Sequence, residues 1–256
     1  MTTLLEARGL SKRFGGVVAL DSLDLALTAG EILGLIGPNG SGKTTFFNVV
    51  TGIYAADAGR VSFAGSDITN ASSRAVYRAG ISRTFQRSRL SLPLSIFDNI
   101  MIGNHKRLSQ GLWFNLMRRQ AFKREFEESW QLARALVEVF EPALADRMFE
   151  PVAGLPMIDR RRIEICRALI SDPKLLLLDE PSAGMTHDET TELMRDISLV
   201  RARNNLTIII VEHEMGVIER ITDRCVVLNF GRKIAEGRYR DVAADAQVQE
   251  AYLGAA

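Results

Sequence analysis

Cysteine is scarce in this sequence, and its beginning does not have the pattern of an export signal. The only two cysteines among 256 residues are Cys166, in a segment with a helical pattern, and Cys225, in a segment with a strand pattern. A basic stretch followed by an apolar stretch is also missing at the start. We therefore expect a protein of the reducing cytoplasm.

Neither sign of charge dominates, and long apolar runs are missing. The chain has 32 lysines and arginines against 31 aspartates and glutamates, a formal net charge of +1, so nucleic acid is not an expected partner. The longest apolar runs, 175–178 and 208–211, are far shorter than the ~20 residues of a membrane-spanning helix. A chain of 256 residues is long enough for one large domain or two small ones, and its 46% hydrophobic content is ordinary for a globular protein.

A phosphate-binding loop is the most informative pattern that the sequence does contain. Residues 37–44 read GPNGSGKT and fit G-x-x-x-x-G-K-[ST], with an apolar strand pattern before them and a helical pattern after them. Glycines let backbone N–H groups point at an anion, while Lys43 reaches the β- and γ-phosphates and Thr44 can ligate Mg²⁺. The alternative is a glycine-rich turn with an accidental lysine. The predicted nucleotide contacts are Gly37, Asn39, Gly40, Ser41, Gly42, Lys43, Thr44 and Thr45.

The pattern along the chain predicts an α/β fold with a helical insertion. Residues 4–36 predict several strands, and 95–147 predict helices with apolar residues three and four positions apart. After residue 160, helical and strand patterns alternate. Such alternation favours a largely parallel sheet that binds nucleotide at its carboxyl edge.

Two carboxylates follow the apolar run 175–178. Asp179 and Glu180 would be held at the carboxyl edge of the sheet if that strand is buried on both faces. Asp179 can then hold Mg²⁺ through its water shell, and Glu180 can accept a proton from the water that attacks the γ-phosphate. A solvated acidic turn is the alternative for either residue taken alone.

Two further polar residues follow predicted strands. His213 comes after the apolar strand 207–211 and can contact the γ-phosphate and position the attacking water. Gln86 comes after the strand predicted over 81–85, and its amide can touch both Mg²⁺ and water. Each is a weak signal alone, and its neighbours strengthen it.

In this order, residues 37–44, Gln86, Asp179-Glu180 and His213 resemble the ATP-binding subunit of ABC transporters. The resemblance covers essentially the whole chain and implies a single ABC ATPase domain, 1–256. It would consist of an α/β nucleotide-binding core (1–90 and 155–256), with a mostly parallel sheet and an N-terminal antiparallel layer, and a helical subdomain (about 91–154). The family binds ATP with Mg²⁺, and Phe14 matches the aromatic residue on which it stacks adenine.

Four segments resemble the ATPase subunit of branched-chain amino acid importers and their relatives for urea, amides and small aromatic acids. The implied partners are membrane permease subunits, a second ATPase subunit and, indirectly, a substrate-binding protein, at the inner face of the cell membrane. The transported solute is not chosen by this subunit. The matching segments read RTFQ at 83–86, EPSAGM at 180–185, VEHEM at 211–215 and VQEAYLG at 248–254.

One family motif is altered. The family's signature L-S-G-G-Q completes the ATP site of the partner subunit, and here the corresponding residues 155–159 read LPMID. Pro156 offers neither a hydroxyl nor an N–H, and Asp159 adds a negative charge, or else only caps the following helix. We therefore expect poor binding of the partner's ATP and a heterodimer with a related ATPase subunit. Two alternatives are an ATP-dependent switch with little hydrolysis and a small-molecule kinase.

Overall fold

The computed structural model describes residues 2–84, 90–104 and 119–253, in two compact units. The first unit contains Met1–Arg83, Lys174–Pro181 and Arg201–Ala256, and the second contains Thr84–Pro173 and Ser182–Val200. The second unit thus holds 84–90, 155–173 and 182–200 in addition to the predicted helical subdomain. The division into domains drawn from the sequence stays a prediction.

An antiparallel sheet forms the N-terminal layer of the first unit, as predicted. Its order is β2-β1-β4-β5, and β1 and β2 are joined by the tight turn at Gly15 and Gly16. One face is buried because leucines alternate with polar residues along β2. The strands of this sheet are β1 (Thr3–Phe14), β2 (Val17–Thr28), β4 (Ala58–Phe63) and β5 (Ser66–Asp67).

A mostly parallel sheet, also predicted, forms the rest of the core of the first unit. Its order is β10-β9-β3-β8-β7-β6, and of the described strand pairs within this sheet only β10–β9 is antiparallel. Every residue of β3, β7 and β8 is buried, and these strands are apolar apart from Asp179 at the end of β7 and Thr207 at the start of β8. The strands are β3 (Ile32–Ile36), β6 (Ile81–Arg83), β7 (Leu175–Asp179), β8 (Thr207–Val211), β9 (Arg224–Asn229) and β10 (Arg232–Gly237).

Ten α-helices accompany these strands in the described residues. Two of them begin at a serine whose hydroxyl accepts a backbone N–H: Ser72 before α2 and Ser95 before α3. No helix in the described part of the chain is both long enough and apolar enough to span a bilayer. The helices are α1 (Lys43–Val50), α2 (Ser73–Ala79), α3 (Ile96–Met101), α4 (Arg119–Phe140), α5 (Pro142–Ala145), α6 (Met157–Leu169), α7 (His187–Asn204), α8 (Met215–Ile221), α9 (Tyr239–Ala243) and α10 (Ala246–Leu253).

Aromatic side chains pack the second unit together. Phe97 on α3 lies 5.4 Å from Trp130 on α4, and Trp130 stacks on Phe149 at 4.7 Å between ring centroids. The predicted helical character of 95–147 is confirmed for α3, α4 and α5, whereas residues 105–118 lie outside the described part. The strand predicted over 81–85 ends at Arg83, and Phe85 is not among the described residues.

Candidate nucleotide-binding site

The phosphate loop connects the buried strand β3 to helix α1, as the motif requires. Its glycines have positive φ angles of 143° at Gly37, 78° at Gly40 and 108° at Gly42. A Cβ atom at Gly37 would lie 2.1 Å from the carbonyl oxygen of Leu228, and one at Gly42 would lie 2.5 Å from that of Ala19. Only glycine therefore permits this backbone path at these two positions.

Lys43, the first residue of α1, is 6% exposed and is hydrogen-bonded by the loop itself. Its Nζ donates to the carbonyl oxygens of Gly37 at 2.7 Å and Pro38 at 3.0 Å. Burial lowers the pKa of Lys43 below its ordinary value, while the negative charges of Glu180 and Asp179 act in the opposite direction. The Lys43 ammonium is thus held in the loop, where phosphate oxygens can replace the two carbonyl oxygens as its hydrogen-bond acceptors.

The remaining loop residues fit an anion. The Ser41 hydroxyl is buried and has no hydrogen-bond partner among the described residues, so a ligand is needed to satisfy it. Asn39, Gly40 and Thr44 are exposed, and Thr45 is half-buried. Because the loop runs into the N-terminus of α1, the helix dipole also favours negative charge there.

Asp179 ends β7 and forms a buried ion pair that the sequence did not predict. Arg83 Nη2 donates to Asp179 Oδ2 at 2.6 Å, and the two side chains are 6% and 4% exposed. The second guanidinium nitrogen, Nη1, donates to Asn48 Oδ1 at 2.6 Å. The only sequence signal was that Arg83 lies near the end of a predicted strand.

Glu180 and His213 lie at the ends of neighbouring strands, β7 and β8, and are in direct contact. His213 Nε2 is 2.8 Å from Glu180 Oε1, with side chains that are 49% and 18% exposed. Glu180 has a φ of 49°, rare for a residue with a side chain, and its N–H donates to the Val211 carbonyl at 2.9 Å. The backbone therefore holds the carboxylate towards the histidine.

The donors available near the loop suit Mg²⁺. This ion prefers oxygen ligands, and the exposed Thr44 hydroxyl and the Asp179 carboxylate belong to that class. Gln86, the third predicted ligand, lies outside the described residues. The residues that are described fit the ion by their chemistry.

Phe14, predicted to stack adenine, ends β1 with 42% of its surface exposed. Tyr54 packs against it edge to face at 5.1 Å between ring centroids. Lys12 Nζ lies 5.4 Å from the Phe14 centroid and pairs with Asp57 at 2.9 Å. Sequence reasoning did not identify Tyr54 or Lys12 as neighbours of this ring.

The altered segment 155–159 belongs to the second unit and starts α6. Pro156 is the residue before the helix, and Ile158 is buried. The Asp159 carboxylate lies in the first helical turn, accepts a hydrogen bond from Arg162 Nη1 at 3.1 Å and is 14% exposed. Asp159 is therefore not the N-cap that the sequence allowed; its charge is paired within the helix.

The chain is similar over nearly its whole length to known ATP-binding transport proteins. Residues 20–183 match the ABC transporter family model, and residues 232–256 match the model for branched-chain amino acid ATP-binding cassette transporters. The chain is 36% identical over 253 residues to the high-affinity branched-chain amino acid transport ATP-binding protein LivG of Escherichia coli, covering 99% of this chain and 98% of the relative. The probable LivG of Archaeoglobus fulgidus is 34% identical, with 98% and 96% covered.

Solved structures give the same result. The ADP conformation of an ATP-binding cassette of an ABC transporter superposes with a TM-score of 0.86 at 31% identity, covering 99% of this chain and all of the other. A nucleotide-free cassette superposes with a TM-score of 0.84 at 30% identity, covering 98% and 99%. The chain therefore belongs to the ABC transporter family of ATP-binding cassettes, in the group of branched-chain amino acid transport ATP-binding proteins.

Proposed function

We propose that this chain is the ATP-binding and ATP-hydrolysing subunit that drives a membrane importer of branched-chain amino acids or related small polar solutes. The observation that carries the proposal is the pair Glu180–His213, 2.8 Å apart in the same unit as the phosphate loop. A loop alone binds nucleotide, whereas a carboxylate and an imidazole at the carboxyl edge of the sheet add the means to activate water. The names of the relatives support the class of solute.

The loop residues bind the triphosphate in this proposal. Backbone N–H groups and Ser41 contact phosphate oxygens, and Lys43 exchanges its carbonyl partners for the β- and γ-phosphates. Phe14 stacks on adenine. Thr44, Asp179 and Gln86 would hold Mg²⁺, which supplies charge neutralisation between the β- and γ-phosphates.

Glu180 is the general base for the attacking water, and His213 orients it. The bond at 2.8 Å holds the Glu180 carboxylate beside the imidazole, and in this proposal the carboxylate accepts the proton from water. His213 is half-exposed, which leaves its ring accessible to the γ-phosphate. Gln86 would complete the set by contacting both the ion and the water.

The partners in this proposal are membrane permease subunits and a second ATPase subunit, with a substrate-binding protein engaged indirectly. The chain would lie at the inner face of the cell membrane, and its helical subdomain (about 91–154) would receive a permease helix. The altered segment 155–159 favours a heterodimer, because proline lacks the N–H and the hydroxyl that a partner's γ-phosphate needs. In this arrangement, a related subunit with an intact signature completes the site built on Lys43.

ATPase rates of three preparations test this function: the chain alone, the chain with its partner subunit, and the same mixture carrying Glu180→Gln. We expect a low rate alone, a high rate in the mixture and a rate near background with Glu180→Gln, while ATP binding persists. Full activity of the unaltered chain alone would refute the heterodimer. Tight ATP binding with negligible hydrolysis in every mixture would instead favour an ATP-dependent switch. This is the second candidate function, because the altered segment 155–159 favours little hydrolysis.

A further inference from the structure

A single buried arginine joins two parts of the nucleotide site. Arg83 is the last residue of β6, and its guanidinium reaches Asn48 on α1 with one nitrogen and Asp179 at the end of β7 with the other, both at 2.6 Å. Its Cζ lies 5.2 Å from the centroid of the Phe47 ring. The guanidinium is therefore fixed by two hydrogen bonds and an aromatic face.

The strand order explains how Arg83 reaches so far. β6 is the edge strand next to β7, and Arg83 is paired with Leu177, two residues before Asp179. Its side chain therefore only has to extend along the strand direction to meet the carboxylate. Asn48 lies on the helix that also carries Thr44, one of the two predicted Mg²⁺ ligands among the described residues.

A lysine could not make this connection. An ammonium is a compact charge on a flexible stem, whereas the planar guanidinium donates in two fixed directions at once. The bond to Asp179 uses Oδ2, and a carboxylate has about four lone-pair sites, so Oδ1 keeps acceptor capacity for a second partner. One oxygen is thus held by the protein and the other remains available.

We propose that Arg83 is a positioning residue for magnesium: it fixes the Asp179 carboxylate relative to α1, so that Asp179 and Thr44 keep one spacing. This inference rests on the proposed function. The proposed role differs from a purely structural one, and a buried ion pair often contributes little net stability. If the pair serves the metal, its alteration weakens the benefit of Mg²⁺ more than it weakens the binding of ATP itself.

The test is the affinity for ATP, measured by calorimetry in EDTA and again in excess Mg²⁺, on the full-length chain. The unaltered chain gives the factor by which Mg²⁺ strengthens ATP binding. In Arg83→Lys, we expect affinity in EDTA to change little and the Mg²⁺ factor to fall about tenfold, the value of one charge-assisted hydrogen bond. In Asn48→Ala, which keeps the pair with Asp179, we expect a smaller fall of roughly threefold.

Arg224→Lys is the matched control. Arg224 also joins separate segments of the first unit, through Glu31 at 2.7 Å and through Glu236, and none of these three residues belongs to the nucleotide site. Both affinities should stay unchanged in this variant. If Arg83→Lys does not fold, Asn48→Ala decides the question.

Two results would overturn the inference. One is a Mg²⁺ factor that is unchanged in the folded variants, and the other is an equal loss of affinity with and without Mg²⁺, which indicates a purely structural arginine. Failure of the proposed function looks different, because the unaltered chain would then bind no ATP or bind it equally well without Mg²⁺.

Discussion

Replacing Arg162 by methionine should destabilise the second unit, and more at neutral than at acidic pH. Arg162 is buried on α6 and is the shared cation of a cluster of four carboxylates. The distances from its nitrogens to the nearest carboxylate oxygens are 2.5, 2.9, 3.1 and 3.4 Å, for Glu192, Asp196, Asp159 and Glu141 respectively.

The loss of unfolding free energy in Arg162→Met depends on how exposed each carboxylate is. Glu192 and Glu141 are 51% and 34% exposed, so each surface contact contributes no more than ~1 kcal/mol. Asp196 and Asp159 are 9% and 14% exposed, and removing the partner of a buried charge costs about 3–5 kcal/mol. We therefore expect a loss of about 3–5 kcal/mol, or roughly 6–20 °C in melting temperature.

The pH dependence follows from Asp196. Burial raises the pKa of Asp196 above its ordinary value, although Arg162 acts against the rise. A carboxyl group with a raised native pKa contributes stability that is present below its unfolded pKa, ~3.9, and is lost as pH rises through the native pKa. Without Arg162 the native pKa rises further, and the deficit should therefore be smaller at about pH 5 than at about pH 7.5.

Thermal unfolding of the nucleotide-free chain at the two pH values is the assay. Arg147→Met is the control, because Arg147 pairs with Glu150 at 2.7 Å and both side chains are exposed. It should leave the melting temperature almost unchanged at either pH, because solvent screens an exposed ion pair. An Arg162→Met deficit that equals this control, or that does not depend on pH, would refute the reasoning.

Three further predictions concern the nucleotide site. Lys43→Met should lower ATP affinity by roughly ten- to a hundredfold, because a charged contact to the phosphates is lost. The nucleotide-free chain should melt no earlier, because burial already disfavours the ammonium. Unchanged ATP affinity in calorimetry would contradict the assigned contact. Gly37→Ala should abolish ATP binding, because its Cβ would lie 2.1 Å from the carbonyl oxygen of Leu228. In Gly40→Ala the added Cβ meets no atom within 4 Å, so this variant should retain more binding. Equal ATP binding by the two variants would show that the contact with Leu228 does not limit binding. Phe14→Leu should weaken binding of ATP but not of tripolyphosphate, which has no adenine; equal losses in a competition assay would contradict stacking.

The phosphate loop was predictable because its determinants are contiguous. Glycines at fixed spacing set the backbone path, and the strand before the loop and the helix after it are visible as apolar patterns. Glu180 and His213 were also accessible, because each follows a buried strand and parallel strands end at one edge of a sheet. Sequence reasoning therefore predicted that they share an edge, although it did not give their direct contact.

Arg83 and Arg162 were missed for the same physical reason. Arg83 meets a residue 96 positions away because β6 lies beside β7, and nothing local to Arg83 encodes that neighbour. Arg162 collects carboxylates from its own helix α6, from α7 and from the residue before α5, so its role emerges only from helix packing. Side-chain networks of long-range contacts are set by the fold and leave no periodic trace in the sequence.

The charge balance of the first unit gives a physical reason for the proposed second subunit. Lys43 and Arg83 face Asp179 and Glu180, so the described cations and carboxylates offset one another before nucleotide arrives. MgATP remains an anion, and negative charge on the leaving phosphate grows during hydrolysis, so donors from a second subunit would stabilise it further. In our proposal, a related subunit supplies them through an intact signature. The chain's own 155–159 segment offers less in return, because Pro156 has no N–H and the Asp159 charge is already paired with Arg162.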